Sequence, residues 1–127
     1  MMKLLGTGIV LSALALGTVT VLAAGMEPAK MGQTSKGKAW VDLKGMTLYT
    51  FDKDVAGKSN CNDKCATAWP PLAVAADGKA AGDWTIVVRD DGSKQWAYEG
   101  KPLYTWMTDK KPGDATGDGV NGFHVAM

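Results

Sequence analysis

The chain has 127 residues with 14 Lys plus Arg against 13 Asp plus Glu, a net charge of +1, one His and two Cys. Near-neutral and without a basic block, it offers nothing to a phosphate backbone, so nucleic acid is excluded as a partner. A single histidine also excludes, within one chain, a blue-copper site, a catalytic zinc site of two or three histidines, and any histidine dyad.

In chain order, the first segment reads as an address. Lys3 gives a short basic start, residues 4–22 carry no charge, and Val21-Leu22-Ala23-Ala24 offers small residues for cleavage before Gly25. An export signal, helical over residues 1–24, is expected. An uncut anchor is the alternative, since about 18 apolar residues can span a bilayer. Cleavage leaves one domain-sized chain of 103 residues with 13 basic and 13 acidic side chains and no membrane span.

Residues 25–37 are small and polar and read as a flexible leader. Strand patterns follow at residues 38–43, with Val41 and Leu43 on one face, and at 47–51, with Gly45 in the turn between. Helical periodicity is confined to a turn or two at residues 62–68. Residues 84–89 are β-branched and aromatic, Asp91-Gly92 suits a type I′ hairpin turn with two positive φ values, and residues 94–98 and 103–106 complete a meander.

One pattern occurs twice. Leu48-Tyr49-Thr50-Phe51-Asp52-Lys53-Asp54 returns 55 positions later as Leu103-Tyr104-Thr105-Trp106-Met107-Thr108-Asp109, each copy following a glycine, Gly45 or Gly100, at the same offset. This marks an internal duplication with units at about residues 38–72 and 93–126, in which each half needs the other. On strands, Tyr49 and Phe51 share one face, as do Tyr104 and Trp106, while Leu48 and Thr50, like Leu103 and Thr105, share the other. Two buried or half-buried faces are therefore expected, with Asp54 and Asp109 capping turns. The alternative use of the motif aromatics is a ligand surface, to which Trp69, Phe123 and His124 are further candidates. The fold expected is a single mainly β domain, residues 38–127, with two pseudo-repeated antiparallel hairpin units in one small sheet or sandwich.

The pattern resembles the secreted-repeat family of predicted bacterial lipoproteins with a Y-x-(F/W/Y)-x-x-D motif. The likeness continues through Cys61-x-x-x-Cys65, Ala66-Thr67-Ala68-Trp69-Pro70-Pro71-Leu72, Gly100-Lys101-Pro102-Leu103-Tyr104, residues 112–120, and Gly122-Phe123-His124-Val125-Ala126. It implies an exported bacterial envelope protein and brings no activity with it. Lipoproteins need Cys directly after the cleavage site, where this chain has Gly25, so a periplasmic or secreted product without lipid is expected.

Cys61 and Cys65, four apart in an exported chain, suit a disulfide across one helical turn, worth about 2 kcal/mol in the chain-entropy model. A thiol metal site and a redox-active pair are the alternatives. Ala66 stands where a c-type haem needs its histidine, and a thioredoxin-like pair needs two intervening residues at a helix start. A soft copper site from His124, Met107 and Met127 with the thiols is a further metal option. Ser35, Ser59 and Ser93 lack a nucleophile setting, and the pairs Asp52/Asp54 and Asp90/Asp91 sit where turns want Asp. Asp114, Thr116 and Asp118 with Gly119 imitate the start of a calcium loop, but Val125 occupies its twelfth position.

These readings give an exported, non-enzymatic module without a cofactor, binding an envelope protein or small ligand through its aromatic repeats. The second reading is an accessory in periplasmic redox or copper handling through Cys61, Cys65, His124 and Met127. A structural envelope component is the third.

Overall fold

The computed structural model describes residues 27–127, so the expected signal over residues 1–24 lies outside the described residues. The elements are β1 (Ala29–Thr34), β2 (Gly37–Asp42), β3 (Tyr49–Phe51), α1 (Lys64–Ala68), β4 (Trp84–Val88), β5 (Lys94–Tyr98), β6 (Lys101–Pro102) and β7 (Phe123–Val125). The class is mainly β, as expected. The strands form three short antiparallel sheets, β1-β2, β3-β7 and β4-β5-β6, built from the expected antiparallel hairpins of the two repeats.

The leader needs correction. Residues 29–34 are a strand in register with β2, from Ala29 opposite Asp42 to Thr34 opposite Gly37. Small, polar residues serve there because Lys30, Met31 and Gln33 face outward and the strand is held by backbone pairing. Gly32 is a packing requirement: a Cβ would lie 2.8 Å from Val41 Cγ2. The Thr34 hydroxyl closes the turn, donating to the Gly37 carbonyl at 2.7 Å and accepting the Lys36 amide at 3.0 Å.

The β4-β5 hairpin pairs Trp84 with Tyr98 through Val88 with Lys94. Its turn is wider than type I′: of the Asp91-Gly92 pair only Gly92 has positive φ, at 88°, and the Arg89 amide still reaches the Ser93 carbonyl at 2.8 Å. That is a three-residue loop ending in a left-handed glycine, the next commonest hairpin solution. Each repeat therefore begins with a hairpin, at Ala29 and at Trp84, earlier than the motif alone indicated.

Main-chain hydrogen bonds show how the repeats interlock. In the first, the Leu48 amide donates to the Trp40 carbonyl (3.0 Å), the Trp40 amide to Ala126 (2.8 Å), and the Ala126 amide to Leu48 (2.9 Å). In the second, Leu103 donates to Trp96 (3.0 Å), Trp96 to Leu72 (2.8 Å), and Leu72 to Leu103 (2.9 Å). The pattern is the same, with Trp40 standing for Trp96, Leu48 for Leu103 and Ala126 for Leu72. The closing segment of each triangle comes from the other repeat. The end of the first repeat completes the second, and the end of the second completes the first.

Side-chain alternation along the motif then separates two cores. Leu48 and Leu103 point into one, with Ala29, Trp84, Trp96 and Ala126; Tyr49 and Tyr104 point into the other, with Ala39, Cys61, Trp69, Ala115, Phe123 and Val125. The two buried leucines contribute about 1.5–3 kcal/mol each. Leu43, expected beside Val41, is 61% exposed because β2 ends at Asp42, whose carboxylate turns back to accept the Lys44 and Met46 amides.

Candidate functional site

The two motifs meet at the centre of the molecule. Tyr49 and Tyr104 form a lone antiparallel bridge, each amide donating to the other's carbonyl at 2.8 and 3.0 Å. Their phenols cross over: Tyr49 Oη donates to Asp109 Oδ2 at 2.7 Å, and Tyr104 Oη to Asp54 Oδ2 at 2.7 Å. Each motif tyrosine is thus bound by the motif aspartate of the other copy. The second carboxylate oxygens close loops, Asp54 Oδ1 accepting the Asn60 amide (2.7 Å) and Asp109 Oδ1 accepting the Thr116 amide and hydroxyl (2.9 and 2.7 Å). Turn capping is therefore only half of what the motif aspartates do.

Around Tyr104 the network extends to residues that no motif marked. An ionised Asp54 has no proton to give, so the Tyr104 proton points to it and Ser59 Oγ supplies the bond of 2.7 Å on the other side. Buried Arg89 donates from Nη1 to Ser59 Oγ (3.0 Å) and Gln95 Oε1 (2.7 Å), and from Nη2 to the Cys61 carbonyl (2.5 Å). Gln95 in turn donates to the Leu103 carbonyl at 2.7 Å. Among the described residues no buried side-chain polar atom lacks a partner, which is the condition for such a network to stabilise. Burial raises the Asp54 carboxyl, with the Asn60 amide, the Tyr104 hydroxyl and Arg89 opposing it. The first repeat has Thr34 and Ala39 where the second has Arg89 and Gln95, so repetition gave no hint of the network.

The tyrosines make a prediction. Burial, opposed by the Ser59 bond and assisted by Asp54, pushes Tyr104 up to about 12, and burial with the Asp109 bond raises Tyr49 as well. Unfolded tyrosine ionises near 10. For an acid raised on folding, the stabilisation is complete below the unfolded value and disappears as pH climbs through the folded one. Ultraviolet titration should accordingly show Tyr49 and Tyr104 ionising together with loss of the fold, and a native state with both phenolates formed would contradict the geometry.

Behind the phenols the rings stack in a column, Trp106–Trp69–Phe123–Phe51, with centroid separations of 4.0, 3.8 and 4.2 Å and interplanar angles of 25°, 4° and 9°. Tyr49 meets Trp69 edge-on at 5.2 Å, and Tyr104 meets Phe123 at 5.3 Å. Phe51 and Trp106, the third-position aromatics, are the half-buried ends of the column. Trp69 and Phe123, candidates for a ligand surface, are each 1% exposed; they form its middle, because the crossed-over segments that carry them thread between the motif strands. Tyr49 and Tyr104 are core, and Phe51 and Trp106 pack against it from its edges.

Cys61 and Cys65 form a disulfide with Cα atoms 5.2 Å apart, closing the turn at α1. Replacing both by alanine should lower stability in urea unfolding by about 2 kcal/mol; no change would mean that Arg89 alone holds the segment. His124 is exposed beside Asp52, Nε2 to Oδ2 2.9 Å, an arrangement worth little in water. Strand alternation in β7 buries Phe123 and Val125 and turns His124 away from them. Met107 and Met127 are exposed, at 54% and 70%. The Met107 amide donates to the Ala68 carbonyl at 3.0 Å, and the Met127 methyl lies beside Gly37. Among the described residues no three His, Cys, Asp or Glu side chains group to hold a metal. In the loop that imitates a calcium site, Asp114 Oδ2 accepts the Lys110 and Lys111 amides and Asp118 Oδ1 accepts the Val125 amide, so these carboxylates already close turns.

Outside the motif lies a second aromatic group. Trp40, Trp84 and Tyr98 touch one another where the two hairpins meet, with centroids 5.3, 4.8 and 4.8 Å apart. Trp84 is buried, and Trp40 and Tyr98 are half-buried. Partial burial raises the Tyr98 phenol, and the charges of Glu99, Asp83 and Glu27 act in the same direction. Sequence reading passed over these rings because they are far apart in the chain; the equivalence of Trp40 with Trp96 was the available clue.

A family model described as a secreted repeat of unknown function matches residues 30–73 and again 85–126. No curated protein and no solved structure matches the chain. Among the described residues no helix is long and apolar enough to cross a membrane.

Proposed function

The chain belongs to the family of secreted repeats of unknown function, and from that premise we propose that it is an exported, non-enzymatic binding module of the bacterial envelope whose working surface is the Trp40–Trp84–Tyr98 platform. The observation that carries this is that Trp40 and Tyr98, one ring from each repeat, lie in contact where the two hairpins meet and keep part of their surface in solvent. The duplication supplies a rigid frame, and the interlocked segments hold the two hairpins side by side. Asp54 and Asp109 are occupied by tyrosine and loop donors, which supports a binding role over acid–base chemistry. The small residues before Gly25 support cleavage there, and Gly25 in place of a cysteine supports release without a lipid, into the periplasm or beyond.

With Asp83 next to Trp84 and Glu99 next to Tyr98 in the chain, and the two joined by a main-chain hydrogen bond, the aromatic faces suit a basic segment of another envelope protein. A Lys or Arg over an indole or phenol face is worth about 0.5–1 kcal/mol when exposed and about 2 kcal/mol when desolvated. Titrating the protein with a peptide rich in Lys and Arg should give a saturable change in tryptophan fluorescence that weakens with salt. The change should disappear in the Trp40→Leu/Tyr98→Ala variant while its melting transition persists. A wild-type protein indifferent to the peptide, or a variant that still responds, would overturn the reading.

A further inference from the structure

The column is not chemically symmetric, although its frame is. Trp106 corresponds to Phe51 and Trp69 to Phe123, so indoles occupy one half and phenyl rings the other. Indole and phenol lose an electron far more readily than phenyl. On the indole side, half-buried Trp106 contacts Trp69 at 4.0 Å, Trp69 contacts Tyr49 at 5.2 Å, and the Tyr49 hydroxyl donates to Asp109 Oδ2 at 2.7 Å. On the other side the Tyr104–Asp54 bond is equally short, but Phe51 and Phe123 separate that phenol from the surface end of the column.

We propose that Trp106, Trp69 and Tyr49, with Asp109 as proton acceptor, form a relay that takes one-electron oxidising equivalents of the peroxyl-radical class from solution and holds them as a buried tyrosyl radical. An electron leaves the Trp106 ring for ROO•, giving ROO⁻, which takes a proton from water and departs as ROOH. Trp69 refills Trp106, and Tyr49 refills Trp69. As Tyr49 loses its electron its phenolic proton passes to Asp109 Oδ2, leaving a neutral tyrosyl radical and a neutral carboxylic acid; that acid then returns a proton to the solvent. The net change is ROO• plus tyrosine giving ROOH plus tyrosyl radical. A one-electron donor of the enediol class, such as ascorbate, together with one proton restores the phenol.

The surroundings suit this use. Tyr49 is fully buried, which keeps its radical from coupling with a second chain. The Gly117 amide donates to Tyr49 Oη at 3.2 Å and remains as a partner when the proton has gone. A side chain at Gly117 would break the relay, since its Cβ would stand 2.6 Å from Trp69 Cη2 and 2.9 Å from Trp106 Cδ1. The relay involves neither the Trp40–Tyr98 platform nor the identity of any partner.

The test is pulse radiolysis of the full chain with azide radical, a tryptophan oxidant, in a Tyr98→Phe background that leaves Tyr49 and Tyr104 as its two tyrosines. Indolyl absorbance should convert to tyrosyl absorbance in a first-order phase whose rate does not depend on protein concentration. Trp69→Phe and Trp106→Phe copy the pseudo-equivalent half and so keep a ring the frame accommodates; each should slow the phase by about tenfold or more. Asp109→Asn should slow it as well and reduce its solvent isotope effect, whereas Asp54→Asn should leave it unchanged. A rate proportional to protein concentration, a rate unchanged in both Phe variants, or equal effects of the two Asn variants would overturn the relay.

Discussion

Cut in the exposed stretch at residues 76–82, the chain is expected to give two halves that are each unfolded alone and regain the native structure only on mixing. The first half alone lacks Ala126 for the Trp40 and Leu48 main-chain bonds, Asp109 for the Tyr49 phenol, and Trp106 and Phe123 on either face of Trp69. The second half loses Leu72, Asp54, and the Ser59 and Cys61 acceptors of Arg89. An unpaired buried donor costs about 1–3 kcal/mol, more when charged, and a domain has only about 5–15 kcal/mol in total. Self-pairing of either half is disfavoured. Two first halves would leave a void where Arg89 and Gln95 belong, and two second halves would strand two copies of Arg89. Circular dichroism of each half and of the mixture decides the matter; a half that melts cooperatively as a monomer would show that the exchanged segments are dispensable.

The largest single-residue effect is expected at Trp69. Trp69→Ala should lower the free energy of unfolding by about 3–5 kcal/mol, the range for a large aromatic removed from a core. Trp69 is 1% exposed, sandwiched between Trp106 and Phe123, met edge-on by Tyr49, and packed against the position of Gly117. Few neighbours can move in: Tyr49 is tied to Asp109, and α1 is pinned by the disulfide. Trp69→Phe should lose much less, because Phe123 shows that a phenyl ring fits the equivalent place. Urea unfolding of the two variants measures both, and equal losses would mean that the site has no special need for stacking.

Several features were legible before any coordinates. The strands at residues 84–88 and 94–98, the short helical turn, the Cys61–Cys65 bridge and the two faces of the motif all follow from local rules: alternation, turn chemistry and redox compartment. The strand at residues 29–34 was not legible, since its residues have neither alternation nor β-propensity and are held by pairing with β2. The crossing of Tyr49 to Asp109 and Tyr104 to Asp54 was equally hidden, for it spans 60 and 50 residues. A motif read along one chain suggests bonds within one copy; nothing local says that a tyrosine will choose the aspartate of the other.

By itself the sequence determined that this protein is duplicated, mainly β and bridged by its two cysteines, because periodicity, repetition and spacing are properties of neighbours in the chain. Only the tertiary structure decided that the repeats exchange their closing segments, that the motif tyrosines are core, and that Trp40, Trp84 and Tyr98 come together where the hairpins meet. Those outcomes depend on which distant segments fill each other's hydrogen bonds and apolar faces, and that pairing is settled by the packing of the whole domain.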